Sequence, residues 1–294
     1  MKDLSVIIVS YNTKDITLTC IDKLSKALQL GSNTWEIIVV DNNSKDGSQE
    51  ALQTLHSKGT IQFIANPDNP GFGKANNQGL FISKGRYVLY LNSDVYVPEK
   101  PIFDYIIKKM DTVSRIGAMT LKVDLVDGTI DPASHRGFPT VWRSFCYYAG
   151  FEKITYHIPY LNQIFGGYHL AHLPLNTEHE IDTPTGAFFF CRRNILETLR
   201  GFDEDYFMYG EDIDLAFRIK RLGYSIVYDP QYSVIHLKNQ SGIKKKNNVV
   251  IRKKTSIHFY ESMIIFYRKH YERIYPKWIT QLVYAVITHK KNAV

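Results

Sequence analysis

Three groups of acidic residues and one histidine stand where chemistry is possible. Asp94 closes Asn92-Ser93-Asp94, directly behind the apolar run Tyr87–Leu91. A carboxylate at the end of a buried strand can hold a divalent cation against a diphosphate, because hard oxygen ligands suit Mg²⁺ or Mn²⁺. Asp41 follows the apolar Trp35–Val40 and opens Asp41-Asn42-Asn43. A carboxylate there can accept a hydrogen bond from a pyrimidine imide N–H or a ribose hydroxyl. Glu211, Asp212 and Asp214 lie at a loop-to-helix junction, close behind Glu204 and Asp205. A carboxylate facing a hydroxyl can act as general base, typically worth about 10²–10⁴-fold. His236 ends a short apolar run and is the candidate partner of Asp94, since Mn²⁺ tolerates an imidazole. Structural roles stay open for each. Asn, Ser and Asp make loops, acids favour helix N-termini, and a lone histidine is commonly packed. His169, His172 and His179 lack zinc spacing and read as lining residues.

These residues need elements to position them. Leu4–Ser10 is a near-continuous apolar run, which predicts an interior parallel strand covered on both faces; Trp35–Val40 reads as the second strand, Ile61–Ala65 as a third short one and Tyr87–Leu91 as a buried one. Helical spacing predicts crossovers over Ile16–Leu28, Gln49–Leu55 with Ser48 as cap, Lys74–Ser83, and Lys100–Val113 entered at Pro98. Alternating strand and helix predicts an α/β, Rossmann-like doubly wound half-sheet. Ligands bind such sheets at the carboxyl ends of strands, so Ser10-Tyr11-Asn12 and Asp41-Asn42-Asn43 are the expected nucleotide side. Ile116–Val126 reads as a strand, and 127–182 as an irregular excursion on the ligand side. Strands over Thr185–Cys191 and Tyr224–Tyr228 follow, with helices over Arg192–Leu199 and Ile213–Leu222 between them. A short strand leads to His236. Two aromatic helices, Ser256–His270 and Trp278–Ile287, come after a basic run over 242–254.

Composition narrows the class. The chain has 294 residues, 44% hydrophobic and 22% charged, so it is globular. Its net charge of +7 suits nucleic acid, an anionic membrane or a phosphorylated small molecule. Twenty Tyr and sixteen Phe suit sugar or lipid edges. Three widely spaced cysteines carry no metal spacing and fit a reduced compartment. No apolar run reaches the roughly eighteen residues of a membrane span. Neither GxGxxG after the first strand nor GxxxxGK[ST] is present, so neither the dinucleotide fingerprint nor the P-loop applies.

Seven segments together resemble a family 2 glycosyltransferase of the GT-A type, closest to the rhamnosyltransferases of bacterial cell-surface polysaccharide assembly. They are VIIVSYN (6–12), VVDNNSKDGS (39–48), NPGFGKANNQG (69–79), LYLNSDV (89–95), GAFFFCRR (186–193), GFDEDYFMYGEDIDLAFRIKRLGY (201–224) and IHLKNQSG (235–242), in family order. The resemblance implies a GT-A fold: a mixed, mostly parallel sheet flanked by helices, with C-terminal helices. It implies a catalytic domain over 1–241, split into a nucleotide-sugar half (1–115) and an acceptor half (116–241), then a basic, aromatic extension over 242–294. It assigns Asp41, Ser10, Tyr11 and Asn12 to the donor's base and ribose. Asn69, Gly71, Gly73, Lys74 and Asn76 shape the donor pocket, and Lys74 reaches a phosphate. Asn92, Ser93 and Asp94 stand where the family carries its DxD motif, with Asn92 in place of the first carboxylate. Asp94 and His236 then hold Mn²⁺ or Mg²⁺, Asp212 is the base, and Glu211 and Asp214 orient the acceptor or brace the loop.

The implied reaction is inverting transfer of one sugar, L-rhamnose from dTDP-L-rhamnose being favoured, to a glycan on a polyprenyl diphosphate. A UDP-hexose or another dTDP-deoxyhexose would use the same architecture. The implied location is the cytoplasmic face of the membrane, held peripherally by basic and aromatic C-terminal helices (Phe259, Met263, Phe266, Trp278), as monomer or homodimer. Three rivals fit less well. A nucleotidyltransferase would need a basic glycine loop after the first strand, where only Lys14 stands. A basic nucleic-acid or membrane-surface binder leaves Asp41, Asp94 and Asp212 unexplained. A processive synthase would carry membrane spans and QxxRW, and neither occurs.

Overall fold

Successive apolar residues of the interior strands point to opposite faces, and both faces are covered. Leu4, Val6 and Ile8 enter one core with Ile37, Val39, Leu89 and Phe190. Ile7 enters a second with Ile38, Val40, Tyr90 and Phe189. A strand with water on one side would show polar alternation; these cannot. Fully burying one such side chain is worth about 1.5–3 kcal/mol.

In the computed structural model, which describes residues 2–238 and 249–293, the elements run as follows. β1 (Lys2–Ser10), α1 (Lys14–Gln29), β2 (Trp35–Asp41), α2 (Ser48–Ser57), β3 (Gln62–Ala65), α3 (Phe72–Ile82) and β4 (Gly85–Asn92) form the first half. β5 (Val95–Tyr96), α4 (Ile102–Thr112) and β6 (Ile116–Leu125) lead into the excursion. It contains α5 (Val141–Tyr148), α6 (Phe151–Ile154), α7 (Pro159–Phe165) and β7 (His179–Ile181). β8 (Phe188–Arg192), α8 (Arg193–Leu199), α9 (Glu211–Arg221), β9 (Ser225–His236), α10 (Val249–His270) and α11 (Lys277–Asn292) complete the chain. The sheet order is β3-β2-β1-β4-β8-β6-β9-β5, with β7 on β9. β1 pairs in parallel with both β2 and β4. β8 is antiparallel to β4 and β6, while β6 and β9 are parallel.

Several local expectations change. Ser48 is the first residue of α2, not its cap; its hydroxyl donates to Asp46 Oδ1 (2.6 Å). α3 begins at Phe72, two residues before Lys74, because Gly71 (φ 98°) turns the chain there. α4 starts at Ile102 behind Pro101 rather than at Pro98. The excursion is not irregular: three short helices and a strand organise it. The two late strands are one, β9, interrupted where the register jumps from Asp229 to Ser233. Proline in a strand is confined to such interruptions, and Pro230 sits at this one. Phe266 is buried with Tyr206, Tyr267 and Tyr271, so it closes a core and meets no outside partner. The extension boundary at 241/242, Asn239–Gly242 of the last motif and most of the 242–254 basic run lie outside the described residues.

Candidate active site

The strand order changes side after β3, so the crevice opens between the carboxyl ends of β1 and β4 rather than β1 and β2. Hydroxyls knit its floor. Thr13 Oγ1 lies 3.0 Å from Thr17 Oγ1 and 3.5 Å from Ser93 Oγ, and Ser10 Oγ lies 3.4 Å from Thr17 Oγ1. Tyr11 stands exposed at the rim. Asn12 takes a left-handed φ of 52°. Its N–H donates to Ser44 Oγ (2.8 Å) and its Oδ1 accepts from Lys45 N (2.7 Å). Asp41 is wholly buried, and its carboxylate accepts from Ser44 N, Ser44 Oγ and Gln49 Nε2 at 2.6–3.0 Å. In this structure Asp41 braces the loop after β2.

Its neighbour Asn42 links that loop to the next. Asn42 Nδ2 donates to Asn69 Oδ1 (3.2 Å) and Gly71 O (3.3 Å), and its Oδ1 accepts from Asn66 (2.9 Å). Asn69 also accepts from Gly71 N (3.0 Å). A Cβ on Gly71 would lie 2.5 Å from Phe207 O, which accepts from Phe72 N (3.0 Å). Gly73 is buried against the loop over 202–206. Asn77 Nδ2 donates to Phe202 O (2.9 Å) and its Oδ1 accepts from Phe202 N (2.9 Å). Asn76 is buried and bonds back to Phe72 O (3.0 Å), so it stiffens the first turn of α3, while Lys74 is exposed. The glycine-rich segment is thereby fixed to the loop that leads to α9.

The second centre forms where β5 pairs with β9, bringing Val95 opposite His236. His236 Nε2 lies 3.2 Å from Asp94 Oδ1, and its Nδ1 donates to Asp131 Oδ2 (2.8 Å). Asp131 also accepts from Lys238 Nζ (2.6 Å) and Ala133 N (3.0 Å). Burial opposes charge on His236, but the two carboxylates outweigh it and raise its pKa to about 9. Burial would raise Asp131, yet the His236 hydrogen bond and the Lys238 charge hold it well below the usual carboxylate range. A carboxylate on Nδ1 that aims Nε2 at a second carboxylate is the arrangement of a metal-ligating histidine. Asp94 and His236 would fit one face of a divalent cation once the cation displaces the proton that His236 Nε2 shares with Asp94. Among the described residues no three His, Cys, Asp or Glu form a metal cage. A nucleotide diphosphate and water would have to supply the other positions.

The third centre sits on the first turn of α9. Gly210 (φ 82°) caps it, and Glu211 and Asp212 are buried there. Asp212 Oδ2 accepts from Arg136 Nη2 (2.9 Å) and Gly186 N (3.2 Å), and Oδ1 accepts from Ile213 N (2.8 Å). Arg136 is buried, also donates to Pro184 O (3.0 Å), and leaves its Nε without a partner. Glu211 Oε2 is buried without a hydrogen-bond partner. Burial first, then the charge of Asp212, pushes the Glu211 carboxyl up to about 8. Asp214 does not join this group. It is fully buried and accepts from Arg218 Nε (2.6 Å) and His270 Nε2 (2.7 Å), so it ties α9 to α10 instead of facing an acceptor.

The last two centres are connected. Gly186 donates to Asp212, and the next residue, Ala187, accepts from Asn92 N (3.1 Å), two residues before Asp94. Ser10, Ser93, Asp94 and His236 thus gather around one crevice, with Glu211 and Asp212 one strand away. Sequence reading missed Asp131, Arg136, the Gly186 N–H and the bridging role of Asn42. Asn42 stood inside a noted motif. Asp131 and Arg136 lie in the excursion, where no periodicity marked them. His135, next to Arg136 in the chain, and His179 pair through Nε2 atoms 2.6 Å apart.

The family model described as Glycosyl transferase family 2 matches residues 5–199. The rhamnosyltransferase WbbL of Escherichia coli (strain K12) is 26% identical over 242 residues, covering 79% of this chain and 82% of that one. The N-acetylglucosaminyl-diphospho-decaprenol L-rhamnosyltransferase of Mycobacterium tuberculosis is 26% identical over 212 residues, 68% of this chain and 66% of that one. A poly-beta-1,6-N-acetyl-D-glucosamine synthase of Staphylococcus aureus is 23% identical over 78% of this chain, which spans 48% of its length. Among solved structures, S. aureus TarS superposes with a TM-score of 0.56 at 17% identity, over 98% of this chain and 43% of that one. GalNAc-T7 with UDP, GalNAc and Mn²⁺ gives 0.56 at 15% identity, over 80% and 44%. The chain therefore belongs to glycosyl transferase family 2, as a glycosyltransferase with the GT-A fold.

Proposed function

We propose that this glycosyltransferase transfers one sugar with inversion, from a nucleotide diphosphate to a hydroxyl of a lipid-diphosphate-linked glycan. L-Rhamnose from dTDP-L-rhamnose is the favoured donor, in assembly of a cell-surface polysaccharide. One observation carries the reading. The hydrogen bonds Asn92 N to Ala187 O and Gly186 N to Asp212 Oδ2 join the Asp94–His236 end of the crevice to the Glu211–Asp212 pair. The donor's base and ribose lie against Ser10, Tyr11, Asn12 and the Asp41-braced loop. Asn69, Gly71, Gly73 and Asn76 shape the sugar side, and Lys74, exposed on the first turn of α3, reaches a phosphate. Asp94 and His236 hold the diphosphate side together with Mn²⁺ or Mg²⁺; such a cation, when bound, neutralises charge on the departing diphosphate.

Asp212 is the base. Arg136 and Gly186 occupy its Oδ2, which leaves Oδ1, with only the adjacent Ile213 N–H, to face the acceptor. The acceptor hydroxyl gives its proton to Oδ1 as its oxygen bonds to the anomeric carbon. The bond from that carbon to the diphosphate oxygen breaks in the same displacement, and configuration inverts. Glu211, neutral at pH 7 by virtue of its raised pKa, can donate a hydrogen bond to the acceptor.

Two relatives named as rhamnosyltransferases favour rhamnose, and the decaprenol in one name favours a lipid-linked acceptor. The UDP-bound structural neighbour and the glucosamine-polymer relative favour a second reading, a UDP-hexose donor in the same crevice. No described helix is long and apolar enough to cross a membrane. The decaprenol-linked acceptor in the mycobacterial relative's name supports a peripheral place at the cytoplasmic membrane face. The test is a panel of dTDP-, UDP- and GDP-sugars, read by thermal stabilisation and donor turnover with Mn²⁺. The largest response is expected from dTDP-L-rhamnose; a response confined to UDP-sugars would replace the donor, and no response to any would overturn the reading.

A further inference from the structure

Residues 141–165 are patterned inside out. Cys146, Glu152, Thr155 and Asn162 are buried, while Trp142, Phe145, Ile154, Tyr156, Tyr160 and Ile164 face outward. Ile154 and Tyr160 are each 74% exposed. In water this costs free energy, since a stable surface puts its polar groups outside. The segment is nonetheless built as a unit. Trp142 Nε1 donates to Ile164 O (3.0 Å), and the Trp142 ring lies 5.9 Å from Phe145 and 5.8 Å from Phe165. Glu152 is tied inward to His169, and Asn162 Nδ2 donates to Glu152 O (3.3 Å).

The unit is fastened to the catalytic side. Arg143 of α5 donates to Asp182 Oδ2 (2.6 Å), and Lys220 of α9 donates to Asp182 Oδ1 (3.2 Å). Phe138 stacks edge-on with Phe217 of α9 at 5.0 Å, two residues beyond Arg136. On the other flank, Lys290 of α11 sits 4.7 Å over the Tyr148 ring. Trp278, Leu282 and Val286 are exposed at four-residue spacing along α11 and lead up to Lys290.

We propose that α5–α7, flanked by the exposed stripe of α11, is a membrane-docking face that seats in the headgroup region of an anionic leaflet. Exposed Trp and Tyr among aliphatic residues is the composition of an interfacial belt. The charge agrees. Glu152 is the only acid in 141–165 and is buried, whereas Lys153 is exposed and Lys290 stands at the flank. Contact with a second copy would bring cations together at this rim with no acid of the segment to pair them; anionic lipid supplies that counter-charge. The inference rests on the lipid-linked acceptor of the proposed function. It assigns the lipid contact mainly to the excursion rather than to the basic C-terminal run.

The experiment uses the full chain and the doubly substituted Ile154→Asp/Tyr160→Asp protein, both sites being too exposed to carry the fold. Co-sedimentation is measured with vesicles of phosphatidylglycerol and phosphatidylcholine, and with phosphatidylcholine alone. The native chain is expected to bind the anionic vesicles, and the variant to bind at least about tenfold less with an unchanged melting temperature. Equal binding by both proteins, or no binding by the native chain, overturns the proposal. A native dimer in light scattering that the variant dissolves, without vesicle binding, makes the face a self-association surface and overturns it too. Transfer to a short, water-soluble acceptor is measured alongside and is expected to be equal in the two proteins. Vesicle binding without such transfer leaves the docking face standing and removes the glycosyl-transfer reading; transfer without vesicle binding does the reverse.

Discussion

Substituting Glu211 with Gln should stabilise the protein, and increasingly so as pH rises. Glu211 is 6% exposed and its Oε2 has no hydrogen-bond partner. Its folded-state pKa is raised from 4.5 to about 8 by burial and by Asp212. The sign follows from where the proton is held. The unfolded chain ionises Glu211 near pH 4.5, while the folded chain keeps the proton until about pH 8. Between these values each step up in pH favours the unfolded state, because it binds fewer protons. The native protein therefore loses stability across that window, with a ceiling of about 5 kcal/mol at 1.36 kcal/mol per pH unit. Gln does not titrate and escapes this loss. In a chain of this size 1 kcal/mol moves Tm by roughly 2 °C, so the Tm advantage of the variant should grow by up to about 8 °C from pH 5 to pH 8. Scanning fluorimetry on both proteins across that range measures it. A fixed offset between Gln and Glu leaves the slope of the difference untouched. A difference that is flat or shrinks with rising pH would refute the reasoning. In an Asp212→Asn background the slope should be smaller, since one of its two causes is gone.

Three further outcomes are expected. Arg136→Ala leaves Asp212 without its buried partner and should cost about 3 kcal/mol in urea unfolding, with a fall in kcat larger than any change in donor KM. Asp94→Ala should weaken Mn²⁺-dependent dTDP binding at least about tenfold by calorimetry and leave cation-free binding unchanged, because its carboxylate meets the diphosphate only through the cation. Gly71→Ala forces a Cβ to 2.5 Å from Phe207 O at φ 98°; it should cost about 1–3 kcal/mol and raise donor KM, since it parts the glycine-rich segment from the loop before α9.

The parallel half of the sheet was legible because burial on both faces writes near-continuous apolar runs, as in Leu4–Ser10 and Trp35–Val40. Strand order was not. Nothing in the Thr185–Cys191 segment says that Phe188–Arg192 inserts antiparallel between β4 and β6, since pairing partners leave no local period. Asp94, Asp212 and His236 were legible as residues at element ends. Their supports were not: Asp131 and Arg136 act across 105 and 76 residues of sequence, from a segment without periodicity. Asp214 stayed open between acceptor contact and brace because acids at the start of a helix look alike until their partners, here Arg218 and His270, are known. The excursion misled differently. Its outward aromatics break the core pattern from which helices are read.

The central claim is that Asp212 removes the acceptor proton at a site whose donor side is built independently. Asp212→Asn keeps the shape of the side chain and removes the base. Single-turnover transfer and donor-nucleotide affinity should be measured on that one variant, with the donor that the panel identifies. The account predicts a transfer rate lower by about 10²–10⁴-fold with nucleotide affinity within about twofold of the native protein. Transfer at the native rate would contradict it.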